Sequence, residues 1–483
     1  MNYSTLNEPR HANPNGQTVM AALVILLVLA AFDQTMVATA LPQITVDVGG
    51  RDRASWVFST YLIASAAVIP LYGRLADVLG RRRVLLAAVS LFGVGSVLCG
   101  SSQTMQQLLV ARLLQGLGGG GLLTLTMLAV SDVASGNRIA RYHGLLGTVY
   151  GLAAVLGAPV GGVITEWVSW RWAFLVNAPL ALLALYLLAT RYRPLSRSEN
   201  AKFDFIGAGL LVGAIASLLI TSRVAATDFR TPEMWVGWAA LFLGLSAGFV
   251  KSQLVAGAPI VPPHFLKNRT LVGAILLSAF SGAGLFAAVV FAPLYFQYGQ
   301  GDGSAATGAK MVLLMGGVLL GSTLSGRIMF RLSRVRVLAV SGSLLTTAAF
   351  AASAIALHIQ SKSMLQVSLA AVGVGIGTAL PIITINAQRA VEPRHIGIAT
   401  ALPVMARTLG GAIALTVLGA LLSATLHSQG LTLGTAEGLS EGFSAAVQQI
   451  FAVSAAIALV GAVTALCLPS ALPTPNYPSA PRS

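Results

Sequence analysis

Residues 73–83 read GRLADVLGRRR, and residues 326–336 read GRIMFRLSRVR. The two stretches share Gly, Arg, Leu, Arg and Arg at the same spacings, and each follows the second of six successive apolar runs. Another similar pair, GLGGG at 116–120 and GVGIG at 373–377, falls in the fourth run of each set. Two sets of six spans related by repetition are typical of transporters built from parallel repeats. The sequence therefore predicts two six-helix halves.

The composition around these repeats indicates an integral membrane protein. Only 9% of the 483 residues are charged and 55% are hydrophobic, whereas a soluble domain carries about 25% charged residues. The formal net charge of +15 would indicate nucleic-acid binding on a hydrophilic chain. A mean hydropathy of +0.79 argues against that class, so we expect the lipid bilayer, and no nucleic acid, as a partner.

Fourteen apolar runs divide the chain, each near the length of about 20 residues that crosses a bilayer. The first run, near 19–41, has no small-residue cleavage site after it, so we expect a spanning helix rather than a removed signal. The predicted fold class is an all-α membrane protein with fourteen transmembrane helices. The predicted domains are a cytoplasmic N-terminal segment (1–18), a six-helix bundle (19–190), a linker with two inserted helices (191–269), a second six-helix bundle (270–467) and a cytoplasmic tail (468–483).

The distribution of basic residues predicts the orientation of these spans. Of the 30 Lys and Arg residues, 21 fall on one side of the predicted membrane, and cytoplasmic loops are the ones enriched in Lys and Arg. Both termini are therefore predicted to be cytoplasmic, in what the composition suggests is a bacterial inner membrane. All six tryptophans lie at predicted outer ends, where an interfacial aromatic belt is expected: Trp56, Trp167, Trp170, Trp172, Trp235 and Trp238.

The sequence carries no pattern of an enzyme or of a cofactor site. HExxH, CxxC, GxSxG and Walker motifs are all missing, and the six histidines are scattered singly. The two cysteines, Cys99 and Cys467, both lie in apolar runs, which fits neither a disulfide framework nor a metal site. We therefore expect no enzymatic activity, no cofactor and no metal, and a driving energy drawn from an ion gradient.

Five motifs in chain order resemble the major facilitator superfamily, and specifically its fourteen-helix drug:proton antiporter branch of multidrug efflux transporters. The resemblance covers about residues 19–467. The stretches that carry it are FDQTMVATALP (32–42), GRLADVLGRRR (73–83), ARLLQGLGGG (111–120), GLAAVLGAPVGG (151–162) and WRWAFLVNAP (170–179).

Three positions depart from the patterns of that branch. Ala38 stands where the first-helix motif normally has Asn, and Ala158 separates Gly157 from Pro159, which normally follow one another directly. The second copy of the loop motif has Phe330 where the first copy has Asp77. The first two departures leave open a transporter dedicated to one metabolite, such as an amino acid or a siderophore.

Asp33 and Arg112 are the predicted proton-coupling residues. Asp33 is the only carboxylate deep inside an apolar span, where a charge costs at least about 2.5–3.5 kcal/mol. At about 1.5 Å per residue, Asp33 and Arg112 both lie roughly 9–12 Å below the predicted outer boundary and could interact directly or through water. Desolvation favours the neutral carboxyl group, and a neighbouring Arg opposes that preference. The alternative is a static ion pair that only locks helices together.

Eight further residues are predicted to line a substrate cavity between the halves. Tyr61 is expected at the depth of Asp33, Gln34 and Gln115 flank the charged pair, and Arg407 is the one deep charge of the second half. Aromatic and Met side chains adapt to many apolar ligands. The alternative for each is ordinary packing or a lipid-facing position. The set is Gln34, Met36, Tyr61, Gln115, Tyr150, Phe291, Tyr295 and Arg407.

Two motifs are predicted to control access to that cavity. In the cytoplasmic gate motif, glycines permit a tight loop, and the arginines around Asp77 indicate a charge-paired latch between Asp77 and Arg83. The resemblance implies that this motif stabilises one access state, and the alternative is plain anchoring by basic residues on the cytoplasmic side. The members of the motif are Gly73, Asp77, Gly80, Arg81 and Arg83. In the antiporter motif, small residues allow close helix approach, and the resemblance implies a contact with the other half on the outer side; its members are Gly151, Gly157, Pro159, Gly161 and Gly162.

The residues and the resemblance together predict a secondary active exporter. Protons would move inward while a lipophilic, cationic compound leaves by alternating access. The expected partners are a small-molecule substrate, protons and the lipid bilayer, and a periplasmic adaptor stays open. The dedicated metabolite transporter is the alternative function.

Overall fold

The computed structural model describes residues 16–50, 53–134, 137–193, 203–227, 232–256, 259–332, 334–392, 396–428 and 439–470. Most of the two predicted terminal segments, 1–18 and 468–483, lies outside the described residues.

Nearly all of the described chain is helical. Within the described ranges, thirteen helices are long and apolar enough to cross a membrane, and the apolar helix Phe205–Leu218 is shorter, which confirms the predicted all-α membrane fold of about fourteen spans. The helices are α1 (Gly16–Asp47), α2 (Ala54–Leu79), α3 (Arg81–Ser101), α4 (Met105–Val133), α5 (Asn137–Trp167), α6 (Trp172–Leu175), α7 (Asn177–Arg191), α8 (Phe205–Thr227), α9 (Pro232–Val255), α10 (Arg269–Leu294), α11 (Ser304–Leu332), α12 (Val335–His358), α13 (Lys362–Arg389), α14 (Ile396–Ser428) and α15 (Leu439–Ala465).

Two of the spans depart from a regular α-helix. The sixth span is divided into α6 and α7 at Val176. Pro179 has no N–H for the carbonyl of Leu175, four residues earlier, and this loss explains the break. α10 continues as a π-helical turn over Tyr295–Gly299, a form that is frequent at functional sites.

The helices pack as two sets with matching neighbours. In the first set α4 lies against α2 and α3, and in the second set α13 lies against α11 and α12. The paired glycine stretches make these contacts close. A Cβ on Gly116 would lie 2.4 Å from the carbonyl oxygen of Tyr61, and one on Gly373 would lie 2.1 Å from the carbonyl oxygen of Leu314. Helix approach that depends on small residues therefore recurs at the same place in both sets.

Two helix pairs join the two sets, α5 with α11 and α2 with α14. The inserted helices α8 and α9 lie at the side of this assembly, where α8 contacts α2 and α14. Only 6% of the apolar window of α9 is buried inside the protein, so α9 presents its surface to the surroundings. Asp204 fastens this insertion by accepting a hydrogen bond from Gln253 at 2.8 Å.

The structure corrects the predicted loop of the cytoplasmic gate motif. α2 continues to Leu79 and α3 begins at Arg81, so Gly73 is helical and Gly80 alone forms the junction. Gly80 has φ 92° and ψ 133°, a backbone conformation that residues with a Cβ rarely adopt. The expectation of a glycine-dependent turn therefore applies to Gly80 and not to Gly73.

Candidate functional site

The centre of the first helix set holds a fully buried ion pair. Asp33 on α1 and Arg112 on α4 are both 0% exposed, and Arg112 Nη1 donates to Asp33 Oδ2 at 2.8 Å. The two sequence-predicted coupling residues are thus brought into direct contact. A buried charge without its partner is expensive, so each side chain stabilises the other in this position.

Gln115 connects the two charged groups through a second route. Its Nε2 atom donates to Asp33 Oδ1 at 2.7 Å, and its Oε1 atom accepts from Arg112 Nη1 at 2.7 Å. Gln115 lies three residues after Arg112 on α4, so both side chains leave the same helix face. Both carboxylate oxygens of Asp33 are therefore held by groups from one helix.

The Gln115 amide extends the network to α3 and α7. Its Nε2 atom also donates to Ser96 Oγ at 2.7 Å, and Asn177 Nδ2 donates to the same hydroxyl oxygen at 3.5 Å. Cys99 contributes a weaker contact, with its Sγ atom 3.4 Å from Gln115 Oε1. Ser96, Cys99, Gln115 and Asn177 are all 0% exposed. The polar network therefore crosses the interior of the first helix set.

The Arg112 guanidinium is further held by groups of α2 and α6. Its Nε atom donates to the carbonyl oxygen of Val57 at 3.0 Å. The guanidinium carbon lies 4.3 Å from the ring centroid of Tyr61 and 5.6 Å from that of Phe174. Aromatic faces stabilise a cation in such positions. Groups from α1, α2, α4 and α6 thus position one guanidinium.

Tyr61, Gln34 and Tyr150 form the side of the network that faces α5. The Tyr61 hydroxyl interacts with the Gln34 side chain, and Tyr150 is near enough to influence it electrostatically. Tyr61 is 1% exposed, whereas Gln34 and Tyr150 are partly exposed. The buried charges are thereby separated from partly exposed polar groups by a single aromatic ring.

The eight predicted cavity residues do not form one open surface. Gln34, Tyr150 and Arg407 are partly exposed, whereas the other five, Met36, Tyr61, Gln115, Phe291 and Tyr295, are buried. Met36 packs against α5 where Gly161 leaves room for it, and Phe291 lies in the hydrophobic core. This conformation gives those five residues no open face toward a substrate, because helix contacts already cover them.

The glycines of the antiporter motif divide between two neighbours of α5. A Cβ on Gly157 or Gly161 would collide with α1, at Thr35 and Met36. A Cβ on Gly151 would meet Leu319 of α11 at 2.7 Å, and one on Gly162 would lie 2.2 Å from the carbonyl oxygen of Ser304. Pro159 also lies at the α11 contact, opposite Gly308. One side of the motif therefore packs within the first helix set, and the other side joins the two sets.

At the predicted outer end, hydrogen bonds also join the two sets. Gln297 Nε2 donates to the carbonyl oxygen of Thr39 at 2.9 Å, and the hydroxyls of Tyr298 and Thr45 are 2.8 Å apart. Glu166 Oε2 accepts from the backbone N–H of Ala305, in the first turn of α11, at 2.8 Å. A carboxylate is stabilised at the positive end of a helix. This end of the assembly is therefore closed by contacts between the halves.

A cavity of about 420 Å³ lies beside these contacts. Its wall is mostly polar, and the carboxylates near it are already engaged: Asp47 accepts from Trp170 Nε1 at 2.8 Å, and Asp302 pairs with Lys310. Its lining residues are Gln43, Asp47, Thr165, Glu166, Val168, Ser169, Trp170, Gln297, Asp302, Gly303 and Ser304.

The charge pairing of the cytoplasmic gate motif differs from the predicted latch between Asp77 and Arg83. Both of those side chains are exposed, and within the described part of the chain neither has an ion pair. Arg81 instead pairs with Asp132, at the end of α4, at 2.6 Å. Exposed charges gain little from pairing, whereas the 6% exposed Asp132 needs a partner, and Arg81 lies beside it.

Tyr192 completes the cluster of Arg81 and Asp132. Its hydroxyl donates to Asp132 Oδ2 at 2.6 Å. Burial, and next to it the Asp132 carboxylate, raise the pKa of the Tyr192 phenol well above its ordinary value, so the phenol remains a hydrogen-bond donor. The cluster fastens α3, α4 and the end of α7 together.

Four polar residues of these clusters were missed by the sequence reasoning. Asn177 lies within the quoted WRWAFLVNAP stretch, and Asp132 is the carboxylate that follows the fourth span, so both carried a usable signal. Ser96 and Tyr192 carried none, since one is a small residue in an apolar run and the other is one of ten tyrosines. Across the described ranges, no group of three or more His, Cys, Asp or Glu could hold a metal ion.

Comparison with known proteins gives consistent matches. A family model described as Major Facilitator Superfamily matches residues 23–415. The chain is 29% identical over 412 residues to the multidrug transporter protein MdtP of Bacillus subtilis, with 84% of this chain and 75% of that protein covered. It is 30% identical over 414 residues to the multidrug resistance protein fnx1 of Schizosaccharomyces pombe, with coverages of 83% and 78%.

Solved structures match over almost the whole chain. A bacterial homolog of the human lysosomal transporter Spinster, in an inward-facing and unoccupied conformation, gives a TM-score of 0.69 at 16% identity, with 94% of this chain and 96% of that one covered. A D-xylose-proton symporter gives 0.65 at 15% identity, with coverages of 94% and 98%. At these identities the likeness shows the fold.

Proposed function

The chain belongs to the Major Facilitator Superfamily, whose members among its named relatives are transporters and not enzymes, and from this premise we propose that it is a proton-coupled exporter of lipophilic, cationic compounds. The two helix sets would act as the two halves of an alternating-access transporter. We further propose the domain limits given by the sequence, with the inserted helices between the halves and both termini in the cytoplasm of a bacterial cell.

The observation that carries the proposal is the sealed pair of Asp33 and Arg112. A carboxylate in the membrane interior is stable when paired with a cation or when neutralised by a proton. Protonation of Asp33 removes the charge that holds Arg112 Nη1 at 2.8 Å, so a proton and the guanidinium compete for one carboxylate. Because the pair is 0% exposed, that exchange requires the surrounding helices to move.

Helix movement supplies the link between the proton and the substrate. The Arg112 guanidinium contacts Tyr61, and Tyr61 contacts Gln34 and influences Tyr150, which are partly exposed. A change in the ion pair is therefore transmitted in two contacts to side chains that can meet a ligand. An apolar cation is the class that benefits most from aromatic and amide contacts without a fixed acidic partner.

The test is transport of ethidium into inside-out membrane vesicles that contain the wild-type protein or an Asp33→Asn variant. We expect proton-driven uptake by the wild type that a protonophore stops, and loss of that uptake in the variant, because Asn cannot exchange a proton. Asp302→Asn is the matched control, since this aspartate pairs with Lys310 at the predicted outer end and not with Arg112.

Two results would contradict parts of the proposal. Full ethidium uptake by correctly inserted Asp33→Asn protein would remove Asp33 from proton coupling. A wild type that moves no member of a panel of lipophilic cations would favour the alternative function, a transporter dedicated to one metabolite.

A further inference from the structure

Two buried polar atoms of the network have no hydrogen-bond partner among the described residues. They are Arg112 Nη2, a donor, and Asn177 Oδ1, an acceptor. Both side chains are 0% exposed. A buried polar group without a partner is unfavourable, so most such groups in folded proteins are satisfied, and each exception requires an explanation.

Two routes of contacts connect the side chains of Arg112 and Asn177. The Phe174 ring lies 5.6 Å from the Arg112 guanidinium carbon, and Asn177 follows Phe174 by three residues, about one helical turn. From the other side, Asn177 Nδ2 reaches Ser96 Oγ, which also accepts from Gln115, the residue that bridges Arg112 and Asp33. The unpaired acceptor and the unpaired donor therefore lie in one cluster, with opposite hydrogen-bonding sense.

We propose that Asn177 is a positioning residue of the proton site, whose amide oxygen accepts the Arg112 guanidinium when Asp33 carries the proton. This inference rests on the proposed proton coupling. In the state described, Asp33 satisfies one nitrogen of the guanidinium, and the Asn177 oxygen is unused. When Asp33 is neutralised, its charge-assisted hydrogen bond weakens and Arg112 needs another acceptor. Asn177 supplies one without adding a charge to the membrane interior.

Among the described groups around Arg112, the Asn177 amide oxygen is the acceptor that is not yet used. The titratable or charged groups that face Asp33 and Arg112 are Tyr61 from α2, Cys99 from α3 and, beyond Tyr61, Tyr150 from α5. The carbonyl of Val57 and the Gln115 Oε1 atom already accept from Arg112. The α6 and α7 side of the cluster contributes Phe174 and Asn177, and of these two side chains Asn177 has the oxygen.

The test measures the protonation of Asp33 itself, so no substrate is needed. The full-length protein in lipid is titrated while the infrared carbonyl band of the protonated carboxyl group is recorded, and the band is assigned by its loss in Asp33→Asn. In Asn177→Leu we expect the midpoint of this titration at a pH lower by about one unit, because the protonated state loses the acceptor that receives Arg112. Asn177→Ser, which keeps a polar group but removes the amide oxygen, should show the same shift and serves if the Leu variant does not fold.

The matched control is Asn386→Leu. Asn386 is also an asparagine that is 0% exposed with an unpartnered Oδ1 atom, but it lies on α13 in the second helix set. In this variant we expect the midpoint of the Asp33 titration to equal that of the wild type. If the loss of any buried asparagine moved the midpoint, Asn386→Leu would show the same shift as Asn177→Leu.

The outcomes separate this inference from the function on which it rests. A wild-type band that titrates, with the same midpoint in the Asn177 variants, would overturn the role of Asn177 and leave proton coupling at Asp33 in place. A wild type without a titrating band at Asp33 would overturn both. A midpoint that moves to higher pH would also contradict the inference, because Asn177 would then be stabilising the ionised state.

Discussion

At the scale of single residues, the site depends on one guanidinium that satisfies several acceptors at once. Arg112 donates to Asp33, Gln115 and the carbonyl of Val57, all at 3.0 Å or less. The planar fork of Arg allows these directions together, which a Lys side chain with one nitrogen cannot reproduce. The geometry explains why a residue so costly to bury is kept in the centre of a helix set.

Removal of only one member of this pair should be more harmful to stability than removal of both. Arg112→Leu leaves the Asp33 charge uncompensated, a change that costs about 3–5 kcal/mol for buried pairs. We expect the midpoint of thermal unfolding of the purified protein to fall clearly in Arg112→Leu and to recover partly in the double variant Asp33→Leu, Arg112→Leu.

Arg83→Leu is the control for that measurement, because Arg83 is an exposed arginine and its replacement should leave the midpoint nearly unchanged. A double variant that is less stable than Arg112→Leu would show that Asp33 is not the group left uncompensated.

At the scale of helices, the sequence motifs act through backbone contacts rather than through side chains. Gly162 and Gly308 allow α5 and α11 to approach until a Cβ at either position would overlap the opposite backbone. Gln297 and Tyr298 extend the same joint to α1, because they bond the carbonyl oxygens of Thr39 and Pro42. The predicted outer end is thus closed by helix geometry together with a few directed hydrogen bonds.

A larger residue in this joint should force the outer ends apart. In Gly162→Val the added side chain would overlap the Ser304 carbonyl, so we expect a conformation with separated halves to become more populated. The measurement is the reactivity of a Thr39→Cys probe toward a membrane-impermeant maleimide, in a chain with Cys467→Ser. Thr39 is 0% exposed in the closed arrangement, and the probe should react faster when Gly162 is replaced.

Gly147→Val on the same helix is the matched control, since nothing lies within 4 Å of a Cβ at Gly147. Equal labelling in the Gly162 and Gly147 variants would argue against the α5–α11 contact as the closing element.

At the scale of the whole molecule, the repeated halves meet in a symmetric manner. α5 contacts α11, and the equivalent contact with the halves exchanged is that of α14 with α2. One buried hydrophobic cluster extends through both halves, and polar groups are concentrated in the interior of the first half around Asp33. In the proposed transport cycle, the halves would tilt against each other while the buried network moves with the first half.

The orientation of the molecule is tested by labelling intact cells from outside with the impermeant maleimide. In a Cys467→Ser background, we expect a cysteine at the exposed Val168 to react and a cysteine at the exposed Arg83 to remain unlabelled. The reason is the concentration of Lys and Arg on the Arg83 side, which is retained in the cytoplasm. The reverse pattern would invert the predicted topology.

The sequence by itself determined the class of fold and the place of the buried charges. The cost of polar groups in lipid requires apolar runs of spanning length and few charges, and both are visible along the chain. The repeat at 73–83 and 326–336 divides these runs into two sets. The equal depth of Asp33 and Arg112 was accessible in the same way, because helix rise converts residue number into distance.

The tertiary structure alone decided which groups meet sideways. Depth along a helix says nothing about the direction of a side chain around it, so Ser96 and Asn177 joined the network unforeseen. For the same reason Arg81 pairs with Asp132, which was not predicted, in place of the predicted latch between Asp77 and Arg83. Met36 and Phe291 are likewise buried rather than exposed to a cavity. These choices depend on the packing of several helices at once, because burial and partner geometry set the strength of a polar contact.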